Sequence, residues 1–170
     1  MRPQLNNAIV SILFIALGGP AILLVYLPFW LTRFRIPADE PLWQMVAAFA
    51  MIVAGLVPLF ESADRFVRFG RGTLVPLMAT QHLVVSGLYR RLRNPMYAGV
   101  LVSLAGETIL LRSIAMAVGL ATALAGFHLF VCLYEEPVLT RRYGEEYLHY
   151  KRNVPRWLPR STPWTSESRR

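Results

Sequence analysis

The sequence has 170 residues, the size of one domain, with 55% hydrophobic side chains and a mean hydropathy of +0.41. That excess is gathered into runs long enough to cross a bilayer, which excludes an ordinary soluble fold. The formal net charge of +8 sits as arginine just outside the apolar runs, a placement that excludes a nucleic-acid module and points instead to membrane orientation and anionic headgroups.

The first apolar run is Ala8 to Leu31. It is too long for the h-region of a signal peptide and has no clear small-residue cleavage site, so it reads as a retained span. Gly18-Gly19-Pro20 predicts a kink within it. A second span is predicted from Leu42 to Phe60. Pro95 to Tyr134 is about 40 residues of nearly unbroken apolar sequence, or two spans at roughly 20 residues each. The Leu111-Arg112-Ser113 step supplies a tight turn, so the third span is Pro95 to Leu111 and the fourth Ile114 to Tyr134. Glu107 and Arg112 are expected to pair beside this turn, away from any site.

Arginine placement sets the orientation. Arg65, Arg68, Arg71, Arg90, Arg91 and Arg93 lie between the second and third spans, and Arg141, Arg142, Lys151, Arg152, Arg156 and Arg160 follow the fourth. Four spans put both clusters and the N-terminus on one side, and the positive-inside rule makes that side cytoplasmic.

Past the fourth span, Pro137 disfavours helical geometry at Glu136 and predicts a break there. Val138, Leu139, Tyr143, Tyr147 and Tyr150 then recur at helical spacing, with Arg141–Glu145 and Arg142–Glu146 as opposite-charge pairs four apart. The pattern predicts an amphipathic helix of about 14 residues that ends at Val154-Pro155 and lies at the interface or folds over the cytoplasmic mouth. The expected fold is therefore an all-α integral membrane protein. It has four transmembrane helices, the last two a tight helical hairpin, plus a C-terminal amphipathic helix covering the cytoplasmic site.

Two constellations could carry chemistry. Arg93-Asn94-Pro95 opens the third span, with Asn94 a preferred N-cap and Pro95 a preferred first helical residue. The helix start aims unsatisfied N–H groups at the interface and could hold an anion beside Arg93; it could equally be a headgroup anchor and a plain cap. Glu135-Glu136 closes the fourth span, and paired acids at a membrane boundary need partners or solvent. His128, Cys132 and Glu136, spaced four apart, predict a polar stripe facing the bundle interior or a cavity. A functional site and a structural ion pair of Glu136 with Arg93 or Arg90 both fit this pattern. His128 fits an interhelical hydrogen bond as well as a site role. Cys132 reads as an inert buried thiol. The three His and one Cys have no metal-ligand spacing, and no phosphate loop, dinucleotide fingerprint or nucleophile elbow is present.

Taken in order, three patterns stand out: His82-x-Val84-x-x-Gly87-x-Tyr89; Arg93-Asn94-Pro95-x-Tyr97-x-Gly99; and Glu135-Glu136-x-x-Leu139-x-x-x-Tyr143-Gly144-x-x-Tyr147-x-x-Tyr150. With Val154-Pro155 and Pro159, they resemble the isoprenylcysteine carboxyl methyltransferase family and its wider group with the phospholipid N-methyltransferases. The resemblance covers roughly residues 70 to 160 and leaves out the first two spans. It implies a two-span region at 1–64, a methyltransferase core at 65–160 and a loose basic tail at 161–170.

The same resemblance implies S-adenosylmethionine as cofactor, with His82, Leu83, Val84, Gly87, Tyr89, Asn94, Tyr97 and Glu135 at its pocket and Arg93 and Glu136 as catalytic residues. Asn94 stands where the family usually has His and marks a bacterial-type branch, so the expected location is a bacterial inner membrane with cytoplasmic termini. The implied partners are membrane lipids and a lipophilic or lipidated acceptor from the bilayer. Oligomeric state has no signal in the sequence. A membrane NADPH-dependent reductase of the sterol-reductase type and a non-catalytic membrane adaptor are the competing expectations.

Overall fold

A computed structural model describes residues 18–69, 83 and 85–165. Five helices, with a short 3₁₀ turn, make up the regular structure among the described residues, and no strand occurs among them. Helix α1 spans Gly19–Thr32, α2 Leu42–Phe69, α3 Pro95–Leu111, α4 Ile114–Tyr143 and α5 Glu145–Asn153. The expected kink at Gly18–Pro20 falls at the first described residues, where α1 begins. Just beyond it, inside α1, a π turn covers Ile22–Tyr26.

Among the described residues two helices are long and apolar enough to cross a membrane, Leu42–Ser62 within α2 and Ile114–Tyr143, while α1 and α3 are shorter apolar helices. Only 17% and 11% of the two long apolar segments is buried. Ile114 is 84% exposed, Leu42 75% and Leu133 74%. Exposed apolar surface on this scale calls for an apolar surrounding.

Small residues set the tightest packing. Among the described helices, α2 and α3 make the most extensive contact, and they meet closely at Gly55 and Gly99. A Cβ on Gly55 would run into Gly99 O and Ser103 Oγ, and one on Gly99 into Gly55 O. Ser103 Oγ–H donates to Ile52 O at 3.0 Å across the same seam. Close backbone approach through small residues is how apolar helices associate when no hydrophobic force separates them from lipid. Leu104, Leu111 and Met116 are buried where α3, α4 and α1 meet, with Leu24 and Leu31 against them.

The turn between α3 and α4 falls at Arg112 and Ser113, where the sequence puts it. Arg112 takes a left-handed conformation (φ 43°), and Ser113 Oγ accepts from Met116 N–H as an N-cap. The expected Glu107–Arg112 pair does not form. Arg112 instead meets Asp39 at 3.1 Å and Glu40 at 3.4 Å, from the α1–α2 loop.

The break expected at Glu136-Pro137 is absent. Helix α4 runs through it to Tyr143, and Glu136 is helical (φ −62°, ψ −42°). The preceding turn, Val131–Glu135, is π-helical. The widened ladder absorbs the donor that proline lacks. The break comes instead at Gly144 (φ 54°, ψ −130°), a conformation open to glycine and little else. The expected 14-residue helix is thereby split: Val138 to Tyr143 extends α4, and α5 starts afresh at Glu145. With the helix divided there, Glu145 turns to Arg152 at 3.5 Å.

Candidate active site

The site is built on the loop that leads into α3. Gly87 enters it at φ 53°, in the left-handed region, and a Cβ there would also collide with the Arg65 guanidinium. Arg65 is paired with Glu61 one turn earlier at 2.8 Å, and the same Glu61 Oε1 accepts from Leu88 N–H at 3.4 Å. The end of α2 thus fixes the loop's course. Pro95 opens α3, its preset φ fitting the first helical position. Asn94 stands at the N-cap, but its side chain does not make the capping bond expected from sequence. Its Nδ2–H donates to Arg156 O at 3.2 Å instead.

Residues 154–164 return as a strap across this loop. Arg93 N–H donates to Pro155 O (2.9 Å), Arg160 N–H to Arg91 O (2.9 Å) and Trp164 N–H to Arg90 O (2.8 Å). Arg90 Nε–H donates to Trp164 O at 2.7 Å and Arg91 Nη1–H to Arg160 O at 3.2 Å. These two arginines, which orient the chain by the sequence argument, also clamp the strap's carbonyls.

Glu136 is the centre of the charge cluster and is only 4% exposed. Arg93 Nη1 lies 2.8 Å from its Oε1 and Lys151 Nζ 2.7 Å from its Oε2, while Arg156 bridges both oxygens at 2.7 and 3.0 Å. The cluster gathers the loop (Arg93), α4 (Glu136), α5 (Lys151) and the strap (Arg156) onto one carboxylate. Hydrogen bonding to Glu136 pushes the Arg156 pKa up. Three cations on one acid leave the cluster net positive. The pairing of Glu136 with Arg93 is the ion pair that the sequence left open; Arg90 goes to the strap.

Glu135 faces elsewhere. Its carboxylate lies beside the Tyr97 hydroxyl and acts electrostatically on Tyr89. Its Oε2 is buried without a hydrogen-bond partner, as are Arg93 Nε and Ser86 Oγ. Tyr150 Oη–H donates to Tyr89 O at 2.6 Å, tying α5 to the loop. Tyr147, Tyr150 and Val154 form a buried cluster against which Leu83 and Val85 pack. Burial pushes the phenols of Tyr89 and Tyr150 up. It pushes that of Tyr147 up to about 12, with the Glu136 charge adding to the effect.

Two apolar grooves flank the start of α3. One, of about 300 Å³, lies between α1, α3 and α4 and is lined by Ile22, Leu23, Met96, Tyr97, Phe127 and Phe130, among others. The other, of about 430 Å³, lies between α2, α3 and the strap.

The structure therefore brings together Arg93, Glu136, Glu135, Tyr97 and Tyr89, with Asn94 held to the strap, Gly87 shaping the loop and Leu83 under the tyrosines. His82 and Val84 lie outside the described residues. The His128–Cys132–Glu136 stripe faces the strap rather than the bundle interior: Trp157 Nε1–H donates to His128 Nδ1 at 3.2 Å, and His128 Nε2 lies 3.6 Å from Cys132 Sγ. Sequence reasoning missed Lys151 and Arg156. Both sit among the tail basics that orientation already explains, and only their spacing around Tyr150 and Val154-Pro155 could have singled them out. No group of His, Cys, Asp or Glu among the described residues is placed to hold a metal ion.

An all-helical apolar fold with a polar cluster at one end of its helices is the architecture of a membrane-embedded site. The phospholipid methyltransferase family profile matches residues 43–146, more than half of the chain. The chain belongs to the phospholipid methyltransferase family. It is 30% identical over 88 residues to protein-S-isoprenylcysteine O-methyltransferase B of Arabidopsis thaliana (51% of this chain, 45% of that protein). It is 34% identical over 77 residues to protein-S-isoprenylcysteine O-methyltransferase A of the same plant (45% and 39%). In these matches the chain spans less than half the length of either relative. No solved structure matches it. The family match begins at Trp43 and so takes in α2, which the motif resemblance had left out. The Gly55–Gly99 crossing and the Glu61–Arg65 pair give that helix a physical part in the site.

Proposed function

We propose that the chain is an integral membrane methyltransferase that uses S-adenosylmethionine to methylate a lipophilic acceptor at the cytoplasmic face. On this reading α1 to α4 are four spans and the loop, α5 and strap lie on the cytoplasmic side. The observation that carries it is the presence of two buried groups with spare hydrogen-bonding capacity, Glu135 Oε2 and Arg93 Nε, on either side of Glu136 in a chain of this family.

These groups fit the cofactor. An unpartnered carboxylate oxygen and an unpartnered guanidinium N–H answer the ammonium and the carboxylate of an amino-acid moiety. Glu135 would hold the first and Arg93 the second, with Tyr89 and Tyr97 offering phenol and ring surface. Leu83, Gly87 and Asn94, with His82 and Val84, complete the pocket that the motif resemblance implies. When bound, S-adenosylmethionine supplies a methyl group on a sulfonium, open to in-line displacement.

The chain's own work is then positioning and charge. Glu136 spends its lone pairs on Arg93, Lys151 and Arg156, so it acts by holding Arg93 and not as a base. A carboxylate acceptor needs no base, and the net positive cluster holds it. An amine acceptor must lose a proton, and Glu135 is the carboxylate free to take it. The groove that ends at Tyr97 gives an apolar tail a way in from the bilayer.

The test uses the full chain purified in detergent and assayed for saturable S-adenosylmethionine binding. Labelled methyl transfer to an extract of its native lipids is the second readout. Binding is expected, with turnover reduced about 100-fold or more in Glu135→Gln while helicity is unchanged. Binding of NADPH alone, or near-normal turnover in both Glu135→Gln and Arg93→Gln, would refute the assignment.

A further inference from the structure

The groove between α2, α3 and the strap is not part of the proposed acceptor route. Tyr97 and Glu135 lie on the other flank of α3, whereas this groove is walled by Ala54, Val57 and Pro58 of α2 and by Ala98, Gly99 and Val102 of α3. It lies alongside the Gly55–Gly99 contact, where small residues leave room beside the seam. At the loop end its lining changes character to Arg91 and Trp157, with Leu158 of the strap 79% exposed. No acidic side chain among the described residues lines it.

We infer that this groove holds one anionic phospholipid of the bilayer, bound as a structural ligand and not as the methyl acceptor. The order of its lining is that of a phospholipid read from chain to headgroup: aliphatic walls first, then an arginine with an indole at the level of the phosphate. Arg91 spends Nη1 on strap carbonyls and keeps its other N–H groups for a phosphate oxygen, which guanidinium binds well. An acyl chain there touches the strap on one side and both helices on the other. The lipid thereby fastens the strap that carries Arg156 to the charge cluster.

The experiment follows thermal unfolding of the full-length protein in neutral detergent, titrated with phosphatidylglycerol or with phosphatidylcholine of the same chains. Phosphatidylglycerol is expected to raise the apparent Tm by about 5 °C more than phosphatidylcholine does. Ala98→Trp fills the groove without changing any charge and should abolish that difference. Val57→Trp, on the exposed side of α2, should do the same and serves if Ala98→Trp fails to fold. Equal shifts with the two lipids in the unmodified protein would overturn the inference. So would a full phosphatidylglycerol preference in the groove-filled variants, since it would reduce the effect to attraction between basic loops and a charged surface. Neither readout depends on methyl transfer.

Discussion

Glu135 and Glu136 are neighbours in the chain and opposites in their surroundings. Glu136 is enclosed by Arg93, Lys151 and Arg156, whereas Glu135 keeps a buried oxygen unpartnered beside Tyr97. Glu136→Gln should lower stability by roughly 3 kcal/mol, because it leaves the buried Arg93 and its companions without a counter-charge. Lys151→Gln removes a side chain that is 39% exposed and should cost under about 1 kcal/mol. Urea unfolding in mixed micelles distinguishes the two, and equal losses would show that the cluster is not centred on Glu136. The sequence made Glu136 legible as an acid needing a partner and named Arg93 as one candidate. It could not show Lys151 and Arg156, since their approach depends on Gly144 and on the fold-back of the strap. Nor could it show that Asn94 serves the strap: an asparagine ahead of a proline reads as a cap until something else claims its amide.

Among the elements, α3 and its turn were the most legible, since an N-terminal proline and a polar step between apolar runs are local signals. The course of α4 was the least. Proline at 137 argues for a break by the steric rule, and only a π turn, which periodicity does not announce, lets the helix pass. The α2–α3 seam was invisible for a related reason, glycines in an apolar run having no distinguishing pattern. Gly99→Ala should destabilise by about 1–3 kcal/mol, since a Cβ there meets the Gly55 carbonyl and Pro58. Gly126→Ala, with nothing within 4 Å of the added carbon, should be neutral or slightly stabilising. Thermal unfolding of the pair in detergent checks this, and equal effects would refute the crossing.

At the scale of the molecule, apolar length and arginine placement made the membrane character legible, while the fold-back of the C-terminal region onto the loop was not. Strap and loop are 62 to 74 residues apart in the chain, and no periodic signal links such distant segments. The tail module also has its own alkaline limit. The Tyr147 phenol is raised from 10.0 to about 12, so its contribution to stability is intact below pH 10 and declines as pH rises from 10 toward 12. A spectroscopic titration should find its phenolate forming late, together with loosening of the strap. Ionisation near pH 10 with the fold intact would contradict the burial of this cluster.

The π turn at Val131–Glu135 has a consequence for how the gene can change. A π turn holds one residue more than an α turn within a single turn, so it can lose that residue and close to an α turn with everything downstream nearly in phase, whereas losing a residue from the α-helical stretch before it rotates everything downstream by about 100° about the helix axis. A deletion of the second kind, within Ile114–Phe130, would swing Glu136 away from Arg93 and carry α5 and the strap off the loop, although every side chain of the site would still be encoded. Substitutions among the outward-facing apolar residues here, such as Leu133 at 74% exposed, leave that phase untouched. Through the α-helical part of α4, selection acts on the number of codons more strictly than on their meaning, and the π turn is where that number has slack.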